Sequence, residues 1–245
     1  MSFEGKCGIV TGAGSGIGRS TAEKLAKLGA KLLLVDYNAE ALQETVELIK
    51  PKNRELYGFQ ANIADVSQVR GYVEKAIQLF GKIDFFHNNA GVLQKPSNLH
   101  EIENDEFERV INVNLKGAYY GLKYVLQQMV RQQSGTIVNT SSHAGIRAEP
   151  YLGVYAATKH ALSGLTVTAA CEYGAQGIRV NAVCPGGVKT NMTVGMLDEN
   201  DKSSYGPMQR AASPNEIADA VTYLLSEEAS YINGVLLPVD GGLSS

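Results

Sequence analysis

Apolar runs and helical spacings alternate along nearly the whole chain. Cys7-Gly8-Ile9-Val10 is a short apolar run, the pattern of a strand covered on both faces. Thr21, Ala22, Leu25, Ala26 and Leu28 then recur at helical spacing as far as Gly29, which suits a helix C-terminus. Lys31-Leu32-Leu33-Leu34-Val35 predicts a second strand. The alternation continues with a helix over 40–50, a strand over 56–61, a helix over 66–80 and a strand over 83–87. One long helical pattern runs through Phe107, Val110, Val113, Leu115, Tyr119 and Leu122 to Met129. Strands follow over 136–140, 178–183 and 235–239, and a helix over 154–173 is ended by Gly174 and Gly177. About seven strands alternating with helices predict an α/β fold, a doubly wound parallel sheet with helices on both faces.

The pattern fails over 191–210, where Thr193, Gly195, Asp198, Asn200, Asp201, Ser203, Ser204, Gly206 and Pro207 leave little to pack. A polar segment of that length inside a compact domain is either a functional lid or disordered, and the lid is the expectation. Nothing else interrupts the alternation, so residues 1–245 are expected to form one domain.

Composition narrows the partners. The chain has 245 residues, 44% hydrophobic and 19% charged, enough for one sizeable core. A net charge of −3 without a Lys/Arg cluster argues against a nucleic-acid or anionic-membrane surface and leaves a small molecule. Cys7, Cys171 and Cys184 lie far apart in apolar or small-residue stretches, with no metal-ligand spacing; they are expected to be reduced core residues, and no metal is expected. The N-terminus shows no signal-peptide pattern and no run approaches a membrane span, so a cytoplasmic protein is expected.

Thr11-Gly12-Ala13-Gly14-Ser15-Gly16-Ile17-Gly18 joins the first strand to the first helix. Glycines there allow positive φ, bring a pyrophosphate against backbone N–H groups and let helix and strand pack closely, which makes a Rossmann-type phosphate-binding elbow. A glycine-rich turn alone is weak evidence, but the second strand ends in Asp36, about twenty residues past the glycines, where a carboxylate accepts from a ribose diol. That carboxylate repels a 2′-phosphate, and neither Ser15 nor Tyr37 offers a cation, so NAD is expected over NADP. The alternative is that Asp36 only ends the strand or caps the helix beginning near Ala39.

Tyr155 and Lys159 stand four residues apart on one helix face. Such pairs often arise by chance; behind a nucleotide elbow the pair acquires a purpose. A phenol has an ordinary pKa near 10, and a neighbouring ammonium with an oxidised nicotinamide is expected to lower it into the range of a working base.

These residues, taken with others along nearly the whole chain, resemble the short-chain dehydrogenase/reductase family in its NAD(P)-dependent form of about 250 residues. The residues that match, besides the elbow, are Asn88-Asn89-Ala90-Gly91, Val113-Asn114-Leu115-Lys116-Gly117, the stretch 135–142 ending in Ser142, Ile178-Arg179-Val180-Asn181, Pro185-Gly186 with Val188 and Thr190, and Val239-Asp240-Gly241-Gly242. Ser142 lies thirteen residues before Tyr155. The resemblance implies Tyr155 as general acid/base, Lys159 holding the nicotinamide ribose, Ser142 on the substrate oxygen, and Asn114 interrupting its helix to anchor a water on a proton path. It implies cofactor contacts from Gly12, Ser15, Gly16, Ile17, Gly18 and Asp36, from Asn62 and Ile63, and from Asn89, Ala90 and Gly91. Pro185, Gly186, Val188 and Thr190 are implied at the pyrophosphate and carboxamide end. Asn62 stands where many relatives carry aspartate, and its amide oxygen still accepts from an adenine amino group. His87 takes a position usually aliphatic and is expected to be buried or partly buried.

The function expected is NAD-dependent hydride transfer between nicotinamide and a secondary alcohol or ketone, oxidation being the favoured direction. The alternatives are an NAD(P)H-dependent ketoreductase of the 3-oxoacyl type and a non-catalytic NAD-sensing protein, against which the intact Asn114, Ser142, Tyr155 and Lys159 argue. His143, Arg147 and Glu149 offer polar contacts to a substrate or are solvated loop charges. Met192, Met196, Leu197, Tyr205 and Met208 are candidates for an adaptable apolar wall. The resemblance implies a homotetramer, and apolar or small residues on several helix faces, among them Ala118, Tyr119, Ala161, Leu162 and Leu165, fit an oligomer.

Overall fold

The computed structural model of the chain describes residues 1–50, 55–197 and 205–245. Strand β1 (Cys7–Thr11) is buried along its whole length and turns through the glycines into α1 (Gly16–Lys27). There follow β2 (Lys31–Asp36), α2 (Ala39–Ile49), β3 (Leu56–Gln60), α3 (Val66–Phe80) and β4 (Phe85–Asn88). The second half holds α4 (Asn104–Val110), α5 (Ala118–Gln132), β5 (Gly135–Thr140), α6 (Gly153–Tyr173), β6 (Ile178–Pro185), α7 (Pro214–Leu225) and β7 (Leu236–Val239). Helix starts follow their sequence signals: the Asn38 side chain accepts from Ala41 N–H at α2, and the Asp65 side chain accepts from Ser67 N–H at α3.

The strands form one parallel sheet in the order β3-β2-β1-β4-β5-β6-β7. Adjacent residues of β2 serve opposite faces, as strand geometry requires. Leu33 and Val35 pack with Tyr72, Leu122 and Leu162 of α3, α5 and α6. Leu32 and Leu34 pack with Leu25, Leu42 and Val221 of α1, α2 and α7. Strand order reverses between β1 and β4, so a crevice opens there beyond the carboxyl ends of the strands.

Four expectations change. The helix that periodicity runs unbroken from Phe107 to Met129 is divided by a wide π-type segment, Ile111–Gly117, between α4 and α5, and Asn114 lies within this break, where the family resemblance has it interrupt the helix. Gly117 allows it, because a Cβ there would stand 2.8 Å from the Ile63 side chain. Helix α7 is absent from the pattern reading, although Ser213, Pro214 and Glu216 form a capping box ahead of buried Ile217, Val221, Leu224 and Leu225. Cys171 is exposed on α6 while Cys7 and Cys184 are buried, since it falls on the helix face turned from the sheet. Ala118 and Leu162 belong to the core, so of the apolar residues named for an oligomer only Tyr119 is an exposed large side chain, and Leu165 packs half-buried against the core.

Candidate functional site

One cavity of about 800 Å³ follows the crevice, running from Gly12, Ser15, Gly16 and Ile17 past Asp36, Asn62 and Ile63 to Ser142, Tyr155 and Lys159. At its first end the chain must be glycine. Gly12 has φ +64°, and a Cβ on Gly18 would run into the Gly12 carbonyl. Asp36 closes the elbow: one carboxylate oxygen accepts from Gly14 N–H at 2.8 Å and the other from Asn38 N–H at 2.9 Å. The α2 cap is Asn38 rather than Asp36, which lines the cavity.

Beneath the elbow lies a buried polar chain. Thr140 Oγ1 donates to Asn89 Oδ1 at 3.0 Å, and Asn89 Nδ2 donates to the Thr11 carbonyl at 3.0 Å. Thr140 has thereby used its proton, so His87 Nε2, 2.9 Å from Thr140 Oγ1, is the donor and the ring is the Nε2–H tautomer. His87 is fully buried, as expected for its strand, and burial lowers its pKa to about 3. Thr11 Oγ1 meanwhile accepts from the N–H groups of Asn89 and Ala90, locking β4 to the elbow.

At the other end α6 presents Tyr155 and Lys159. Lys159 is 4% exposed and donates from Nζ to the Thr140 carbonyl at 2.8 Å; burial lowers its pKa to about 8. Its Nζ lies 5.6 Å from the Tyr155 ring centroid. The Ser142 hydroxyl hydrogen-bonds the Tyr155 phenol and accepts from Ala144 N–H at 3.1 Å. In the protein alone the phenol is pushed above its ordinary pKa, whereas the lowering expected from sequence counts on the oxidised nicotinamide as well as the ammonium. Burial dominates, the Glu149 charge adds to it, and the Ser142 hydrogen bond only partly opposes them. Asn114 is buried within the π-type segment and grips the Val92 backbone, accepting from its N–H and donating to its carbonyl, both at 2.8 Å.

The remaining residues named from sequence also line the cavity: Asn89, Ala90, Gly91, Pro185, Gly186, Val188 and Thr190. Gly18 and Asn114 support it from behind. One acceptor position of Asn62 Oδ1 is taken by Ala64 N–H at 3.0 Å, which leaves the other for a ligand. Met192, Met196, Leu197 and Tyr205 reach the cavity, whereas Met208 lies exposed by Gly241. Within the span read as a lid, residues 198–204 lie outside the described residues, while Thr193 is tied to the Val188 carbonyl and Tyr205 is buried. Arg147 is not free, since it donates to the Ser244 carbonyl.

Sequence reasoning missed Gln94. Its side chain is 1% exposed and its Oε1 accepts from Val154 N–H at 2.9 Å and Tyr155 N–H at 3.1 Å, while Nε2 donates to the Tyr151 carbonyl at 3.0 Å. It caps the helix that carries Tyr155 from 61 residues away in sequence, and no local pattern could have revealed that.

An elbow only glycine can fill, with a carboxylate beyond it and a strand-end hydroxyl, a phenol and an ammonium at the far end, fits a dinucleotide in its long part and a small reactant in its short part. The family described as enoyl-(acyl carrier protein) reductase matches residues 12–244. Levodione reductase of Leifsonia aquatica is 39% identical, the match covering 99% of this chain and 96% of the relative. The chain belongs to the short-chain dehydrogenase/reductase family. A 3-ketoacyl-(acyl-carrier-protein) reductase of Brucella melitensis complexed with NADH is similar over the full length of both chains, with a TM-score of 0.94 and 33% identity. An NAD⁺-bound xylitol dehydrogenase matches with a TM-score of 0.93 and 35% identity over 99% of this chain and 100% of that one. The protein is therefore an oxidoreductase of the short-chain dehydrogenase/reductase family, of the broad alcohol dehydrogenase and ketoreductase kind.

Proposed function

We propose that the protein is an NAD-dependent dehydrogenase of small secondary alcohols, with Tyr155 as the general acid/base. The observation that carries this is the convergence of Ser142, Tyr155 and Lys159 on one end of the cavity whose other end is the glycine elbow. NAD is preferred because Asp36 stands in the ribose region and, among the described residues, its oxygens are paired only to backbone N–H groups. The neighbouring cation, Arg19, is held by Glu44, Thr45 and the Gly14 carbonyl and does not line the cavity.

In this reading the elbow N–H groups and Thr190 hold the pyrophosphate, Asp36 the adenosine ribose, Asn62 and Ile63 the adenine, and Lys159 the nicotinamide ribose with the donors its Thr140 bond leaves free. When bound, the nicotinamide supplies the hydride acceptor or donor. Ser142 orients the substrate oxygen, Tyr155 takes or gives its proton, and Lys159 passes charge and proton toward the Asn114 region. A reductase reading has one observation in its favour: a phenol held above its ordinary pKa is protonated near neutrality and poised to give a proton to a carbonyl. We further assign residues 1–245 to one dinucleotide-binding and catalytic domain with 191–210 as its substrate lid, acting in the cytoplasm as a homotetramer. Exposed Phe107, Tyr119 and Val167 on α4, α5 and α6 supply apolar contact surface. Among the described residues no helix is long and apolar enough to cross a membrane.

The test is a panel of secondary alcohols and their ketones with NAD⁺ and NADH, followed at the reduced-nicotinamide absorbance. Turnover of at least one pair supports the assignment, and NAD binding with no turnover of any supports a sensing protein instead.

A further inference from the structure

Beside Ser142 and Tyr155 the cavity wall carries a second polar pair that the proton transfer does not use. His143 Nδ1 lies 3.0 Å from Glu149 Oε2, and both side chains line the cavity. The imidazole is well fixed: its side chain is 13% exposed, and its backbone carbonyl accepts from the N–H groups of Ile146 and Arg147. A carboxylate only accepts, so Nδ1 donates to Glu149, and in the neutral imidazole Nε2 then presents a lone pair. Among the described residues nothing donates to that nitrogen. The pair shares this cavity with Ser142 and Tyr155.

The charges around this end restrict what can enter. Arg109 also lines the cavity, but its guanidinium is paired with Glu106 and donates to the Leu93 carbonyl. Lys159 donates to the Thr140 carbonyl, and its remaining donors are those assigned above to the nicotinamide ribose. Among the described residues that line this end, the Arg109 charge is already paired and Glu149 adds a carboxylate, which favours a neutral molecule over a carboxylate or phosphate. Val92, Leu93 and Leu152 offer its body apolar contact. Ser142 and His143 are consecutive, with Cα atoms about 3.8 Å apart. Groups read by the two therefore sit close together on the substrate.

We propose that His143 Nε2 accepts a hydrogen bond from a second hydroxyl on the carbon next to the reacting one, so that the preferred substrate is a neutral vicinal diol or its hydroxy ketone. This rests on the oxidoreductase reading above and names its substrate class. Glu149 is the positioning residue, holding the ring in the tautomer that leaves Nε2 an acceptor.

Substrates of one skeleton, with and without the second hydroxyl, test it: cyclohexanol against both stereoisomers of cyclohexane-1,2-diol, and butan-2-ol against butane-2,3-diol, at saturating NAD⁺. The wild type is expected to favour one diol stereoisomer over the monool by about three- to tenfold in kcat/KM, the scale of one hydrogen bond. In His143→Leu that ratio falls to near one, chiefly through KM for the diol, and in His143→Gln, which keeps an acceptor oxygen, part of it returns. A wild-type ratio near one, or a ratio unchanged in a folded His143→Leu protein, overturns this inference and leaves the oxidoreductase reading standing. Turnover of neither pair by wild type, with NAD binding intact, overturns this substrate class, and only failure across the whole alcohol and ketone panel removes the oxidoreductase reading with it.

Discussion

Replacing Gln94 by leucine tests whether the machinery on α6 is held from outside the helix. The first turn of α6 follows Leu152, which offers no side-chain cap, so the amide of Gln94 takes that role. Leucine is of similar size and deletes three hydrogen bonds. Two N–H groups, of Val154 and Tyr155, lose their acceptor, at about 1–3 kcal/mol each where water cannot reach them. The Tyr151 carbonyl still accepts from Ser97 N–H at 3.0 Å, so its loss is small. The sum is about 2–6 kcal/mol, or a melting temperature lower by about 4–24 °C for a domain of this size. Gln94→Glu keeps an acceptor at the positive end of the helix dipole and should recover part of the loss. Thermal unfolding gives the energy, amide exchange over 153–158 shows whether the first turn frays, and kcat shows whether Tyr155 has moved. A Gln94→Leu protein melting within about 1 °C of wild type, with unchanged exchange and kcat, would refute the capping account.

Asp36→Ala should raise kcat/KM with NADP relative to NAD, because it removes the carboxylate that repels a 2′-phosphate; equal use of both cofactors by wild type would sink the NAD assignment. His87 should shape acid stability. Its pKa is about 3 when folded and near 6.5 when unfolded, so the unfolded chain takes up a proton first and stability is lost as pH falls from about 6.5 to 3, by about 5 kcal/mol in all. His87→Leu should flatten that limb in urea titrations run across the range, and an acid limb as steep as that of wild type would show that other groups cause it.

Much of this was legible in the chain because the signals were local. The apolar runs at Ile9 and Leu33 could be covered on both faces only inside a parallel sheet, and the glycines between Thr11 and Arg19 required an elbow. The positions of Ser142, Tyr155 and Lys159 followed from spacing once the family resemblance was recognised. What sequence could not show depends on distant partners. Gln94 meets α6 across a loop, and His87 becomes a polar link only because Thr140, on the neighbouring strand, has spent its proton on Asn89. The break at Asn114 is invisible to periodicity, since the apolar spacing continues through the wide turn. Sequence shows the ammonium four residues from Tyr155 but not the burial that raises the phenol pKa in the protein alone, nor the Thr140 carbonyl that holds Lys159.

The central claim is that Tyr155 moves the substrate proton, and the pH dependence of Tyr155→Phe tests it most directly. The variant keeps the ring and loses the acid/base group, so kcat should fall by at least about 10²–10⁴ while NAD binding, followed by fluorescence or calorimetry, stays near wild type. In wild type, oxidation should rise with pH as the phenol ionises, and that rise should vanish from the residual activity of the variant. A Tyr155→Phe protein with near-normal turnover and the wild-type pH profile would contradict the account.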